Sequence, residues 1–204
     1  MFILSQDYNL ILHCNNNQIE NKKIVKKSFR SPISISRKEL LDKSGNTDKC
    51  FRQLIYDLSV AGNLLEVARQ NLAQKLEVTP PQYNILMVIA QYQDKSGLRF
   101  TKVADHLHVT ISHVTSEIKK LEKGKWLSVV TSPIDKRARM VKINPSAENK
   151  IFALGSHQRG FNNHLFRNLT KSNFEKLSIV MAELVEDFTE TIAIIKSGKI
   201  LISQ

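Results

Sequence analysis

A short amphipathic helix followed at once by a β-hairpin pattern is the feature that most constrains this chain, and it occupies residues 110–144. Val114, Ile118 and Leu121 recur at steps of four and three, which places them on one face of a helix. Thr110 is suited to cap the helix, because its hydroxyl can accept a hydrogen bond from an unpaired backbone N–H of the first turn. The segment therefore predicts a helix with one face in a core and the other face exposed.

Two β-rich runs follow this helix at residues 127–131 and 140–143, joined by a tip at 132–137 that contains Pro133 and Asp135. A helix with a polar, cationic face next to a basic hairpin suits double-stranded DNA. The helix would enter the major groove, and an arginine at the hairpin tip would enter a narrow minor groove. A solvated helix beside an ordinary hairpin is the alternative that these residues alone leave open.

The candidate DNA contacts are small polar or charged side chains on the exposed helix face and at the hairpin. They are Thr110, Ser112, His113, Thr115, Ser116, Lys119, Lys120, Asp135, Lys136, Arg137 and Arg139. The polar residues near the helix N-terminus are expected to read base edges, and the two lysines one turn later to hold phosphates. At the tip, the Asp135 carboxylate can orient the Arg137 guanidinium.

The positive charge of the chain is concentrated in two segments. The net charge is +11, of which residues 98–144 carry +6 and residues 1–50 carry +4. The rest of the sequence is close to neutral. A basic helix–hairpin and a basic N-terminal segment on a neutral scaffold indicate a protein that binds a polyanion.

Apolar stripes at helical spacing flank the helix–hairpin segment. One runs over about seven turns from Leu54 to Leu76, and two more follow residue 145. A domain of this size has too little surface to cover all three, so they predict a homodimer. The predicted organisation is a basic, flexible extension over 1–49, an N-terminal dimerisation helix over 50–78, a winged helix-turn-helix over 79–144 and C-terminal dimerisation helices over 145–204. The predicted fold class is mostly α with a small β-wing.

Shorter patterns predict local details. Residues 98–100 are expected to form a short strand that pairs with the hairpin, followed by a helix capped by Thr101. Tyr92 is expected on the inner face of the helix before this strand. Thr170 is expected to cap the last helix. Removal of residues 1–45 is expected to leave the fold intact, because this extension has no clear core.

Over residues 51–195 the sequence resembles the multiple-antibiotic-resistance regulator (MarR) family. The resemblance lies in Pro81-Gln82-Tyr83, in Phe100–Thr110 and above all in Asp135–Asn144, which contains the Asp-x-Arg signature of that family's wing. It implies a homodimeric transcriptional regulator that binds double-stranded DNA, usually a repressor relieved by a small aromatic or phenolic effector or by oxidation. Tyr56, Arg69 and Tyr83 are the residues expected to line an effector pocket.

The sequence departs from the family pattern at three places. Gly124 stands one position before the usual glycine, with Lys125-Trp126 in place of Gly-Leu, which predicts a shifted helix end. His108 replaces a frequent glycine in the turn between two helices, although histidine tolerates a left-handed backbone better than most residues. Residues 1–50 have no counterpart in the family core.

Other chemistry receives little support from the sequence. It contains none of the common catalytic or phosphate-binding motifs, so neither an enzyme nor a cofactor is predicted. His106, His108 and His113 lack the partners of a metal site.

The two cysteines, Cys14 and Cys50, are too few to predict a disulfide framework. Cys50 is expected to be an ordinary thiol rather than a redox sensor. A reducing cytoplasm is the expected compartment. No signal peptide or membrane span is predicted. A non-specific architectural DNA-binding protein remains the alternative function.

Overall fold

The computed structural model describes residues 31–131, 135 and 138–198. The α-helices are α1 (Lys49–Lys75), α2 (Pro80–Tyr92), α3 (Phe100–Leu107), α4 (Ile111–Lys123), α5 (Pro145–Leu165) and α6 (Lys171–Lys196). The strands are β1 (Leu98–Arg99), β2 (Leu127–Thr131) and β3 (Arg139–Ile143). The predicted fold class, mostly α with a small wing, is confirmed. The described residues divide into two compact units, one of residues 31–63 with 186–198 and the other of the residues described between 64 and 185.

The core of the larger unit lies among α2, α3, α4 and the sheet. The stripe predicted on α4 is confirmed, since Val114, Ile118 and Leu121 are at most 1% exposed. They pack in one cluster with apolar residues of α2 and with Val141 of the sheet. Burying side chains of this size contributes roughly 1.5–3 kcal/mol each, which fixes α4 on its inner face. A second, smaller cluster joins Leu72, Ala73, Leu76, Tyr83 and Leu154.

The three strands form an antiparallel sheet in the order β1-β3-β2. Val141 at its centre pairs with Leu98 on one side and with Val129 on the other. The short strand predicted at residues 98–100 is therefore confirmed, and it ends at Arg99. The helix that follows begins at Phe100 rather than after a Thr101 cap, because the strand runs into it without a spare residue.

Helices α1, α3 and α4 each end in a Schellman motif whose left-handed residue is not glycine. These residues are Glu77 (φ 56°), His108 (φ 51°) and Lys125 (φ 61°). For His108 the tolerance expected from the sequence is confirmed. The shifted end predicted for α4 is wrong: Gly124 has an ordinary φ of −76°, and Lys125 takes the left-handed position. The cost of that conformation in a residue with a Cβ is about 1–2 kcal/mol.

Residues 31–48 form a hydrogen-bonded cap on the start of α1, a feature that the sequence did not predict. The Asp42 carboxylate accepts from the backbone N–H groups of Lys49 at 3.1 Å and Cys50 at 3.3 Å, and it also bonds the Thr47 hydroxyl. Asp48, 5% exposed, accepts from Ser34 N at 2.7 Å and from Arg52 Nε at 2.9 Å. The two bonds from Lys49 and Cys50 to Asp42 satisfy backbone N–H groups that the N-terminus of α1 leaves unpaired.

The cysteine prediction requires a correction. Cys50 is disulfide-bonded, so the expectation of an ordinary thiol at this position is wrong. Cys14, the other cysteine of the sequence, lies outside the described residues. Spacing alone gives no information about which cysteines approach each other in space, which is why the sequence did not predict this bond.

The last helix, α6, exposes a row of large apolar side chains. Thr170 caps it as predicted, its Oγ1 accepting from Asn173 N at 3.3 Å. Its exposed apolar residues include Phe174, Leu177, Met181, Phe188, Ile192 and Ile195. Within the described part of the chain, no helix combines the length and the apolar character needed to cross a membrane.

Candidate nucleic-acid interface

The exposed face of α4 carries the polar and cationic residues that the sequence placed there. Ser112, His113, Ser116, Lys119 and Lys120 are all exposed, and Thr115 is half-buried at the edge of the face. Because the opposite face is locked in the core, these side chains project from a rigid support. A rigid helix that presents short polar side chains has the dimensions to enter a major groove.

The N-terminus of α4 is held in place by its cap and by the turn before it. Thr110 Oγ1 accepts from His113 N at 3.2 Å, which confirms the predicted cap. In the turn, His108 N donates to Asp105 O at 3.2 Å and Val109 N to Ala104 O at 3.1 Å. The first turn of α4 is therefore ordered, and its helix dipole favours an anion at this end.

A buried carboxylate on α4 connects it to the start of α2, and sequence reasoning missed it. Glu117 is 8% exposed. Its Oε2 accepts from Gln82 Nε2 at 3.1 Å, and its Oε1 lies 2.6 Å from Lys120 Nζ. The bond from Lys120 lowers the pKa of Glu117 below its ordinary value, against the opposing effect of burial. A signal was present, because Glu117 lies three residues after Val114 and four before Leu121, on the apolar stripe.

Gln82 extends this network to the cap of α2. Its Oε1 accepts from Thr79 N at 3.1 Å, as a capping box requires. A chain of hydrogen bonds thus runs from Thr79 through Gln82 and Glu117 to Lys120. Lys120 is consequently held by Glu117 on the side of α4, whereas the sequence had grouped it with Lys119 as an equivalent phosphate contact.

The base of the wing is fixed to the end of α4. Asn144 Nδ2 donates to Lys125 O at 2.9 Å, and Glu122 Oε1 accepts from Val129 N at 3.3 Å. Arg139 is the first residue of β3, which begins one position earlier than predicted. Its guanidinium carbon lies 5.6 Å from the centroid of the Phe100 ring. This distance is that of a cation–π contact, which directs Arg139 across the sheet.

The tip of the wing is described at one position. Asp135 is exposed, and its backbone carbonyl accepts from Ala138 N at 2.9 Å. Lys136 and Arg137, two of the candidate DNA contacts, lie outside the described residues. Their predicted roles therefore stay predictions.

The three residues predicted to line an effector pocket have different environments. Tyr83 is buried against Leu72 and Leu154, and burial raises its pKa, partly offset by Arg69. Arg69 is exposed and lies 3.8 Å from Glu66. Tyr56 is 61% exposed and belongs to the other compact unit. Two clefts in the larger unit lie away from Tyr83, one at the α5–α6 turn around Phe166 and one between Lys75 and Lys150.

The histidines named in the sequence analysis have other surroundings than a metal site. The ring of His106 stacks on that of Tyr92, with centroids 3.9 Å apart. Tyr92, expected on the inner face of α2, is 45% exposed, since the helix ends there and its last turn leaves the core. Among residues 31–131, 135 and 138–198, no group of three or more His, Cys, Asp or Glu side chains is arranged to hold a metal ion.

Comparison with known proteins connects this geometry to one family. The model of the MarR family matches residues 78–138, which run from the start of α2 into the wing. No curated protein matches the sequence. The family match therefore covers α2, α3, α4 and β2, and it ends one residue before β3 and the candidate contact Arg139.

Solved structures share the fold over a longer stretch. A MarR/EmrR family transcriptional regulator from Acinetobacter sp. ADP1 has 18% identity and a TM-score of 0.60, over 68% of this chain and 96% of that one. A putative MarR family regulator from Listeria monocytogenes, complexed with 26mer DNA, has 14% identity and a TM-score of 0.62. The match covers 73% of this chain and 97% of that one. The S. aureus MepR–DNA complex has 16% identity and a TM-score of 0.57, and the match covers 65% of this chain and 96% of that one. At these identities the likeness establishes a common fold.

Proposed function

We propose that the chain is a sequence-specific, DNA-binding transcriptional regulator of the cytoplasm. Residues 78–138 match the model of the MarR family, and a MarR/EmrR family transcriptional regulator shares the fold. In this proposal the chain acts as a homodimer and as a repressor that a small aromatic or phenolic effector releases. The observation that carries the proposal is the exposed polar and cationic face of α4 on a fully buried apolar stripe.

In this proposal α4 lies in the major groove with its N-terminal turn toward the bases. Ser112, His113 and Ser116 have the hydroxyl and imidazole groups that exchange hydrogen bonds with base edges. Lys119, one turn further along, binds a phosphate. Lys120 contributes less than Lys119, since its ammonium is already paired with Glu117. A charge that is paired within the protein must give up that partner before it binds a phosphate.

The wing supplies the minor-groove contact. A narrow, A/T-rich minor groove has an enhanced negative potential that attracts arginine. Arg137 is the residue proposed for this position, with Asp135 as the carboxylate that orients it. Arg139, held near Phe100, is placed at the base of the wing, where a phosphate contact suits it better than a base contact.

The exposed apolar row on α6 supports the homodimer. Burial of such a row against a second copy would remove a large apolar area from water at roughly 25 cal/mol per Å². A charge introduced by Leu184→Glu should give monomers or insoluble protein, whereas Glu183→Gln, at the preceding exposed position, should leave the dimer unchanged. Sedimentation at micromolar concentration measures this. A well-folded monomer in the unmodified protein would contradict the proposal.

The effector is proposed to bind near Arg69 and Tyr83 of the larger unit, which combine a cationic and an aromatic group suited to a phenolate or carboxylate. Salicylate is a suitable first probe. Arg69→Ala should weaken its ability to release DNA while leaving DNA affinity itself unchanged. Release that is identical in both proteins would remove Arg69 from the site.

Selection of bound duplexes from a random DNA pool tests the central function. A sequence-specific regulator should enrich one motif, with affinity about 10³-fold or more above that for random DNA at the same salt concentration. The alternative, an architectural protein that binds through the basic segment and the wing, would enrich no motif. Its affinity for all duplexes would fall alike with salt.

A further inference from the structure

Two large apolar side chains are exposed at the start of α4, one on each side of the capping Thr110. Val109 is 38% exposed and Ile111 is 51% exposed. Neither belongs to the two core clusters of the described residues. Ile111 is the first residue of α4, so it stands in the same turn as Ser112 and His113. An isolated exposed apolar residue is common, but this one lies in the N-terminal turn of α4, which is the end proposed to point toward the bases.

The major groove offers one apolar group to such a side chain. Among the four base pairs, only those with thymine present a methyl group there, at C5, and apolar contact with it is a recognised form of base readout. The hydroxyl and imidazole groups of Ser112 and His113 read hydrogen-bonding atoms and cannot substitute for this contact. The side chain of isoleucine is branched at Cβ and has few rotamers, so its direction is well defined before DNA binds.

Position separates Ile111 from Val109. Val109 closes the turn after α3, with its N–H bonded to Ala104 O at 3.1 Å. Ile111 lies on α4 itself, three residues before the buried Val114 and four before the half-buried Thr115, so it stands at the border between the apolar stripe and the polar face. We propose that Ile111 contacts a thymine 5-methyl group in each half-site, and that it is a specificity-determining residue of the DNA binding proposed above, on which this inference rests.

The test uses the duplex recovered by selection and replaces its thymines one at a time by deoxyuridine. This change removes the methyl group and leaves every hydrogen-bonding atom in place. For the unmodified protein, one thymine in each half-site should be sensitive, with affinity reduced about fourfold per methyl group, the factor that burial of one methyl gives. Ile111→Ala should bind the thymine duplex more weakly by a similar factor and should no longer distinguish thymine from deoxyuridine at that position.

Three controls make the result interpretable. Val109→Ala, the exposed apolar neighbour, should keep the full response to deoxyuridine, and Ile111→Val should keep part of it. Ile111→Ala should unfold at the same temperature as the unmodified protein, because the side chain is exposed and alanine favours a helix. If Ile111→Ala responds to deoxyuridine at every position as the unmodified protein does, the inference is overturned. If the selection yields no motif at all, the proposed function fails instead.

Discussion

Gln82 and Glu117 lie 35 residues apart in the sequence, and their side chains are joined by a hydrogen bond of 3.1 Å from Gln82 Nε2 to Glu117 Oε2. Gln82 is in the first turn of α2, and Glu117 is in the middle of α4. The helix proposed to read DNA is therefore attached by a polar contact to the segment that follows α1. Apolar packing fixes the distance between these helices, and a directional bond of this kind fixes their rotation.

Glu117→Ala should lower the free energy of unfolding by about 1–3 kcal/mol, since it leaves a partly buried amide without its partner. Lys120→Ala is the matched control. It removes only the mostly exposed half of the ion pair, so it should cost less than about 1 kcal/mol. Urea denaturation of the two variants measures both values. Equal losses would show that Glu117 acts through Lys120 alone.

The cap on α1 predicts a difference between two truncations. A chain that starts at residue 31 keeps Ser34 and Asp42, and a chain that starts at residue 46 loses both. From the sequence, removal of residues 1–45 was expected to leave the fold intact. With Asp42 bonded to the first N–H groups of α1, the shorter chain should instead unfold at a lower temperature than the longer one. Identical melting temperatures would show that the cap contributes nothing to stability.

Asp48 gives this cap a pH dependence. Hydrogen bonds from Arg52 and Ser34 hold the pKa of Asp48 well below its ordinary value. Its stabilisation is therefore complete above the unfolded-state pKa of about 3.9 and is lost as the pH falls toward the folded-state pKa. The difference in stability between the unmodified protein and Asp48→Asn should be constant from about pH 7 to pH 5 and should shrink below about pH 4. A difference that persists into acid would mean that charge is not the cause.

The left-handed residue after α4 predicts that a mutation to glycine stabilises the protein. Lys125→Gly removes the Cβ clash at φ 61° and should raise the free energy of unfolding by up to about 1 kcal/mol. Lys123→Gly, at the last residue of α4, should instead lower it, by up to about 1 kcal/mol. Thermal denaturation of both variants measures the two signs. A destabilised Lys125→Gly would show that its side chain is needed for packing.

The sequence was sufficient for the elements that depend on local periodicity and capping. The stripe of Val114, Ile118 and Leu121 predicted the buried face of α4, and Thr110 and Thr170 were correctly predicted as caps. These features rest on residues a few positions apart, where spacing determines geometry.

Interactions between residues that are far apart in the chain could not be predicted from the sequence. The buried Glu117 was not predicted, because nothing local indicates that Gln82 approaches it. The Asp42 cap was missed for the same reason. At Lys125 the family pattern misled the prediction, since the left-handed conformation is dictated by the Schellman hydrogen bonds, whatever residue occupies the position.

Substitutions in the wing should change the affinity for DNA, and the sign of one change separates the two candidate functions. Arg137→Ala should remove most binding to the selected duplex without changing the melting temperature, and Arg137→Lys should restore it only in part. Asp135→Ala should weaken binding even though it removes a negative charge, because the arginine loses its orienting carboxylate. The affinities of the unmodified protein and of Asp135→Ala for the selected duplex, measured at one salt concentration, give the sign of this change. Tighter binding by Asp135→Ala is the result expected of an unspecific positive surface.

The most direct measurement compares Ser116→Ala with Lys119→Ala on the selected duplex and on random DNA. If α4 reads bases, Ser116→Ala should lose about 1–3 kcal/mol on the selected duplex and almost nothing on random DNA. Lys119→Ala should weaken both and reduce the salt slope by about 0.9 for each phosphate that the protein no longer neutralises. If both variants lose the same affinity on both kinds of DNA, α4 is a uniform cationic surface and the account of sequence-specific recognition is contradicted.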